Sequence, residues 1–399
     1  MADATRGLRF ASLFSGCGGF DLGFVQAGFK CAAAFDIDPL AVQVYNKNVH
    51  PSAVLCDLSD SGVSLQALSD VDVLLAGPPC QGFSTAGKRS LDDPRNKLLL
   101  LAGRIAGKVR PAVFVAENVT GVTAGEHGKY WKSLRRTLRS SGYKTTDIRV
   151  EATRSGLAQT RTRVFMLAWK NGRDITVELP FAPGRVLRDA LAGMDGAPNH
   201  TVRPLARGSD LARIAKCIKP GQKLCNVRGG PNAVHTWDIP DVFGRVTEAE
   251  HRLLETLLRL RRRQRIREYG DADPVTGSAI VRACGPSTLR LLDALIGKGY
   301  VRRIHRRYDL THTFNGKFRR LRWDRPSPTV DTRFGDPRYF LHPDEVRGFT
   351  VREAARIQGF PDTFVFCGTE RDQYRLVGNA VPPPLARGMA EFVRQALLF

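Results

Sequence analysis

The chain has 399 residues, 42 % of them hydrophobic, and a formal net charge of +22 from 61 Lys and Arg against 39 Asp and Glu. That length suits one large domain plus a smaller one, and eight cysteines without a CxxC pair argue against a disulfide framework and for a reducing, cytoplasmic setting. No N-terminal apolar stretch resembles a leader, and the most apolar short segment, Leu98 to Ala102, soon meets Arg104 and Lys108, so no membrane role is expected. In chain order, Leu8 to Leu13 reads as a first strand, closed by the turn Phe14-Ser15-Gly16-Cys17-Gly18-Gly19 from which a helix starts. A second strand, Lys30 to Phe35, ends in Asp36-Ile37-Asp38, and a third, Ser52 to Cys56, ends at Asp57. A carboxylate about 20 residues after a glycine turn is placed to accept from ribose hydroxyls in a doubly wound nucleotide fold, although no glycine follows Gly18 at the dinucleotide spacing.

The fourth apolar run, Val71 to Ala76, stops at Gly77-Pro78-Pro79-Cys80, and a fifth, Ala112 to Ala116, delivers Glu117-Asn118-Val119. Both bring their terminal residues to the C-terminal edge of a parallel sheet, where open α/β sheets place their sites. A cysteine thiolate is the nucleophile that adds to C6 of a pyrimidine, and a carboxyl group at N3 and the 4-amino group offsets the charge this creates. The segment Gly82 to Lys97 has few apolar anchors and reads as a mobile loop, with Lys88 and Arg89 either meeting phosphates or simply solvated. Gln159-Thr160-Arg161-Thr162-Arg163 leads into a strand through Trp169, so alternation puts both guanidiniums on one face. The eight histidines show no zinc spacing, and no metal is expected.

Beyond Pro180 the pattern loosens. Thr247 with Glu250 forms a capping box for a helix to about Tyr269, carrying an apolar face of leucines and a basic cluster from Arg259 to Arg267. A second helix follows over about Ser287 to Ile296, then strands over Tyr300 to Leu310 and Lys317 to Trp323 with Asn315-Gly316 as the turn, together suggesting a winged-helix-like insert. Charge is segregated: Met1 to Thr120 balances 11 basic against 11 acidic residues, whereas Arg245 to Arg325 has 20 against 9. A polyanionic partner meeting the later region is one reading and a solvated helix face the other.

These motifs, with Arg325-Pro326-Ser327-Pro328-Thr329 and Gly378-Asn379-Ala380-Val381-Pro382, resemble the DNA (cytosine-5)-methyltransferases in the family's order over nearly the whole length. The resemblance implies an S-adenosylmethionine-dependent methyltransferase domain of doubly wound α/β type, built from residues 1–180 and 324–399, with a smaller target-recognition domain, 181–323, inserted. It implies methyl transfer from S-adenosyl-L-methionine to C5 of a cytosine flipped out of double-stranded DNA, by way of a Cys80 adduct. Cys80, Glu117, Arg161 and Arg163 take the catalytic positions, Arg163 toward cytosine O2 and Arg161 supporting Glu117 and the loop. Phe14, Gly16, Gly18, Asp36, Ile37, Asp57, Leu58, Pro78 and Asn379 take the cofactor positions. Asp36 stands where much of the family has glutamate and Ile37 where it has an aromatic residue, which leaves Asp36 and Asp38 as alternatives for the ribose. A monomer working at the nucleoid, with or without a partner restriction endonuclease, is the corresponding picture. An RNA-directed enzyme and a catalytically silent DNA-binding relative are the alternatives.

Overall fold

The computed structural model describes residues 7–60, 66–79, 93–170, 178–267 and 272–398. Seven strands share one sheet: β1 (Arg9–Leu13), β2 (Lys30–Asp36), β3 (Ala53–Leu55), β4 (Val73–Ala76), β5 (Val113–Val119), β6 (Lys144–Glu151) and β7 (Thr162–Trp169). Their spatial order is β3-β2-β1-β4-β5-β7-β6. The first five run parallel, and β7 lies antiparallel to both β5 and β6. Order reverses between β1 and β4, which opens a crevice at their C-terminal ends.

Period-two burial explains why these runs are continuously apolar. Val73 and Leu75 of β4, with Val113 and Val115 of β5, enter a core shared with Phe20 and Phe24 of α1 (Gly19–Gln26) and with Leu385, Ala386 and Met389 of the helix Pro383–Leu398. Their neighbours Leu74, Ala76, Phe114 and Ala116 face the other way, onto Leu99, Ala102 and Ile105 of α3 (Asn96–Val109) and Trp131, Leu134 and Leu138 of α4 (Gly128–Ser140). A strand covered by helices on both faces reads as hydrophobic at every position. α2 (Pro39–Asn48) follows β2 and is capped by Asp38, whose side chain accepts from the amides of Leu40 and Ala41.

The chain separates into two compact units, one of Met1–Thr201, Trp323–Arg333 and Thr350–Phe399, the other of Val202–Arg322 and Phe334–Phe349. This division differs from one near Pro180, and it places residues 334–349 with the second unit and not with the returning segment. Past Pro180 the chain still bonds into the first unit: Leu187 N–H donates to Arg325 O at 3.0 Å, and Asn199 Nδ2 donates to Phe366 O at 2.9 Å. Residues 334–349 belong with the second because Arg319–Arg320 pairs in parallel with Phe340–Leu341, and the buried Arg320 guanidinium donates to the carbonyls of His342 and Glu345.

In the second unit the Thr247/Glu250 capping box is present and opens a helix over Glu248–Arg263. This helix stops short of the expected Tyr269, since Asp273 accepts from the amides of Ile266 (2.7 Å) and Arg267 (2.9 Å) and draws them out of the helical path. A strand Val275–Thr276, helices Gly277–Cys284 and Thr288–Gly297, and strands Val301–Ile304 and Arg307–Leu310 follow. The hairpin turn sits at His305 and Arg306, inside the stretch expected to be one strand, with His305 left-handed at φ 53°. Asn315–Lys317 is not a turn but a strand against Lys223–Cys225.

Candidate functional site

A cavity of about 280 Å³ lies at the C-terminal ends of the parallel strands. Its walls are the segments that follow them: Phe14 to Cys17 after β1, Asp36 to Asp38 after β2, Cys56 to Leu58 after β3, Gly77 to Pro79 after β4, and Glu117 and Val119 from β5. Arg163 of β7 and Asn379 of the helix Glu370–Asn379 complete the part expected from sequence. Of the cofactor positions only Gly18 is absent from the wall. Gly18 is left-handed (φ 92°), and a Cβ there would sit 2.6 Å from Val49 and 2.8 Å from Tyr45, so packing against α2 demands glycine. At Gly16 a Cβ would meet nothing within 4 Å, which leaves the backbone open to a ligand.

Asp36 organises this end of the cavity. One carboxylate oxygen accepts from Gly16 N–H at 2.7 Å and the other from Asp38 N–H at 2.9 Å, tying the glycine turn to the end of β2. Burial holds its pKa above the ordinary carboxylate range. Asp38, besides capping α2, forms an ion pair with Arg375, which also lines the cavity. Phe14, on the cavity wall, is left-handed at φ 57°, a conformation that costs a bulky residue energy. Ile37 is 65 % exposed on the wall, a large apolar side chain without cover. Asp57 is exposed and held below the usual range by Ser59, whose hydroxyl donates to it at 2.6 Å.

At the other end, Arg163 Nε lies 2.8 Å from Glu117 Oε1, both side chains about nine-tenths buried. Burial raises the Glu117 pKa, with Arg163 and then Arg161 pulling it back. Of the two arginines it is Arg163, not Arg161, that forms the ion pair with Glu117. Arg161, 2 % exposed, instead donates to the carbonyls of Val330 (2.9 Å), Gly378 (3.4 Å) and Ala380 (2.9 Å), fastening the segment that carries Asn379. Asn118, between Glu117 and Val119, donates from its amide to Pro78 O at 3.3 Å. That contact fixes the chain two residues before Cys80.

Cys80, Gln81 and residues 82–92 of the expected loop lie outside the described residues; the loop's tail is described, and Asn96 and Lys97 begin α3. Cys17, on the cavity wall, is 3 % exposed, and burial pushes its thiol up to about 12. Sequence reasoning passed over Arg375, for which no signal exists, and the buried Asp21 of α1, which accepts from Ser12 Oγ (2.8 Å) and Tyr45 Oη (2.7 Å) beneath the glycine turn. A carboxylate in the first apolar turn of a core helix was the available sign. Among the described residues no His, Cys, Asp and Glu cluster could hold a metal, and no helix is long and apolar enough to cross a membrane.

The family described as C-5 cytosine-specific DNA methylase matches residues 8–202 and 255–394. The chain is 32 % identical over 435 residues to Type II methyltransferase M.AgeI of Thalassovita gelatinovora, covering 98 % of this chain and all of that protein. It is 33 % identical over 397 residues to Type II methyltransferase M.XorII of Xanthomonas oryzae pv. oryzae, covering 96 % of this chain and 84 % of that protein. Among solved structures, the S. pombe Dnmt2 methyltransferase superposes with a TM-score of 0.54 at 18 % identity, covering 98 % of this chain and all of that one, a likeness of fold.

Proposed function

The chain belongs to the C-5 cytosine-specific DNA methylase family, and from that membership we infer that it methylates C5 of a cytosine in a defined sequence of double-stranded DNA, using S-adenosyl-L-methionine. The observation that carries this reading is the buried Glu117–Arg163 pair beside the strand end that leads into Cys80.

The cavity fits the cofactor by the chemistry of its walls. Asp36 is the ribose acceptor, since each of its oxygens accepts one backbone amide and keeps a lone pair, whereas Asp38 carries both the α2 cap and the Arg375 ion pair. Phe14, Ile37 and Leu58 supply apolar contact for the adenine, Asp57 accepts from its amino group, and the open backbone at Gly16, with Pro78 and Asn379, faces the remainder. S-adenosyl-L-methionine supplies an electrophilic methyl group on a sulfonium centre.

On the base, the Cys80 thiolate forms a bond to C6, and the pair displaced from the C5–C6 bond makes C5 the nucleophile. Glu117 holds a proton for N3, for which its raised pKa suits it, and Arg163 keeps the carboxyl oriented. After C5 gains its methyl, solvent takes the C5 proton, the pair of that C–H bond restores the C5–C6 double bond, Cys80 leaves as thiolate, and the N3 proton returns to Glu117. A paired base hides C6, so the cytosine is flipped out at a few kcal/mol of unstacking.

The names of the relatives support reading the protein as a Type II modification enzyme. Bisulfite sequencing of DNA from cells expressing the protein tests the whole reading. A single methylated sequence context is expected. DNA without new 5-methylcytosine contradicts it.

A further inference from the structure

The second unit contains a small bundle with its own core. Leu253, Leu254, Leu257 and Leu258 of the helix Glu248–Arg263 close on Val275, Ile280, Leu292, Leu295, Val301 and Leu310. The helices Gly277–Cys284 and Thr288–Gly297 are joined by three residues including Gly285 at φ 88°, the form of a helix-turn-helix. Strand Val275–Thr276 pairs with Arg307–Leu310, which pairs with Val301–Ile304, so a hairpin extends from the bundle as a wing.

Its cations fall into two classes. Asp309, with 7 % of its side chain exposed, pairs with Arg261 of the first helix at 2.6 Å and with Arg302 of the wing at 2.9 Å, and the buried Asp273 pairs with Arg267. Asp309 thus holds the buried Arg261 and the exposed Arg302 together, joining the helix end to the wing strand, while Asp273 holds the exposed Arg267. Arg262 and Arg263 on the helix, and Arg303, His305 and Arg306 on the wing, are exposed. The second helix of the helix-turn-helix exposes Leu289, Arg290 and Asp293, one cation and one anion with no Asn or Gln. That face lacks the Asn and Gln that read adenine bidentately and its one cation is offset by an anion, whereas phosphates require only cations.

We propose that this winged helix-turn-helix module grips duplex DNA by its phosphates, through the wing and the adjoining end of the first helix, and does not read the target bases. Across Glu248 to Leu310 there are 14 Lys and Arg against 8 Asp and Glu, which matches a polyanion. The choice of DNA as that polyanion rests on the proposed function.

The test uses the full-length protein and an A·T-only duplex, which contains no cytosine and so isolates target-independent binding. Arg303→Gln with Arg306→Gln, and separately Arg262→Gln with Arg263→Gln, are titrated from about 50 to 200 mM salt; each lost phosphate contact flattens the log–log slope by about 0.9, so each pair is expected to lose nearly 2 units. Lysine at the same positions is expected to restore the slope. On natural DNA the methylated sequence and the rate at saturating DNA are expected to stay as in the wild type. Unchanged slopes in both variants overturn the proposal, as does an altered methylated sequence, which would make this edge a base reader. An RNA duplex of the same length that binds as tightly, with the same loss of slope, overturns the assignment to DNA. If the wild type methylates nothing and the variants still lose slope on DNA, the proposed activity fails while the module's role stands.

Discussion

Arg163 Nε meets Glu117 Oε1 at 2.8 Å although the two residues are not directly paired in the sheet: Arg163 stands opposite Val119, and Glu117 opposite Phe165. The arginine reaches diagonally across the antiparallel β5 and β7. Burial favours the protonated carboxyl and the guanidinium opposes it, so the geometry sets how far up in pH Glu117 keeps its proton.

Glu117→Gln is expected to lower the methylation rate constant about 10²- to 10⁴-fold, the usual worth of a positioned acid, with cofactor affinity nearly unchanged. Arg163→Met removes the charge that lowers the Glu117 pKa. The alkaline limb of its pH–rate profile is therefore expected to move to higher pH while the maximum rate falls. A limb that stays in place assigns it to another group.

Asp36→Ala is expected to weaken S-adenosyl-L-methionine binding by about 10- to 100-fold, as for a lost hydrogen bond to a charged group. Asp38→Ala removes a helix cap worth about 1 kcal/mol of stability and should leave affinity within a few fold. Calorimetric titration of both variants decides between them. The reverse pattern makes Asp38 the ribose ligand.

Arg161→Met leaves the carbonyls of Val330, Gly378 and Ala380 without their donor in a buried site. Each such loss costs about 1–3 kcal/mol, so a clear drop in thermal midpoint is expected. Arg161→Lys is expected to restore only part of it, because an ammonium cannot reproduce the planar fork. An unchanged midpoint contradicts the fastening role.

Asp21 gives a pH dependence whose sign can be worked out. Its folded pKa is raised from 3.8 to about 7, chiefly by burial. A raised acid contributes stability that is complete below its unfolded value and is lost as pH rises through the folded one, here from about 4 to 7. Asp21→Asn is expected to flatten that part of the stability profile, measured by denaturant unfolding at a series of pH values.

The site was largely legible because each apolar run is followed at once by a residue type that ends strands or binds ligands: Phe14 with Gly16, Asp36, Asp57, Pro78, Glu117. Pairing was not. Alternation predicts a common face for Arg161 and Arg163 only if one strand carries both, but β7 begins at Thr162 and Arg161 lies just outside it. In the basic cluster the charge is plain in the sequence, whereas burial follows from position on the helix. Arg261 falls three, four and seven residues after Leu258, Leu257 and Leu254, on the face that packs, and the structure buries it against Asp309. The hairpin at His305 was missed because a left-handed histidine carries no glycine signal.

The measurement that bears most directly on the central claim is covalent trapping. A duplex with 5-fluorocytosine in place of every cytosine, incubated with the protein and S-adenosyl-L-methionine, is expected to yield a protein–DNA adduct resistant to denaturation, because fluorine cannot leave C5 as a proton does. Peptide mass analysis is expected to locate it at Cys80, and Cys80→Ala, with cofactor binding intact, is expected to form none. No adduct with the wild type, or an equal yield from Cys80→Ala, contradicts the account.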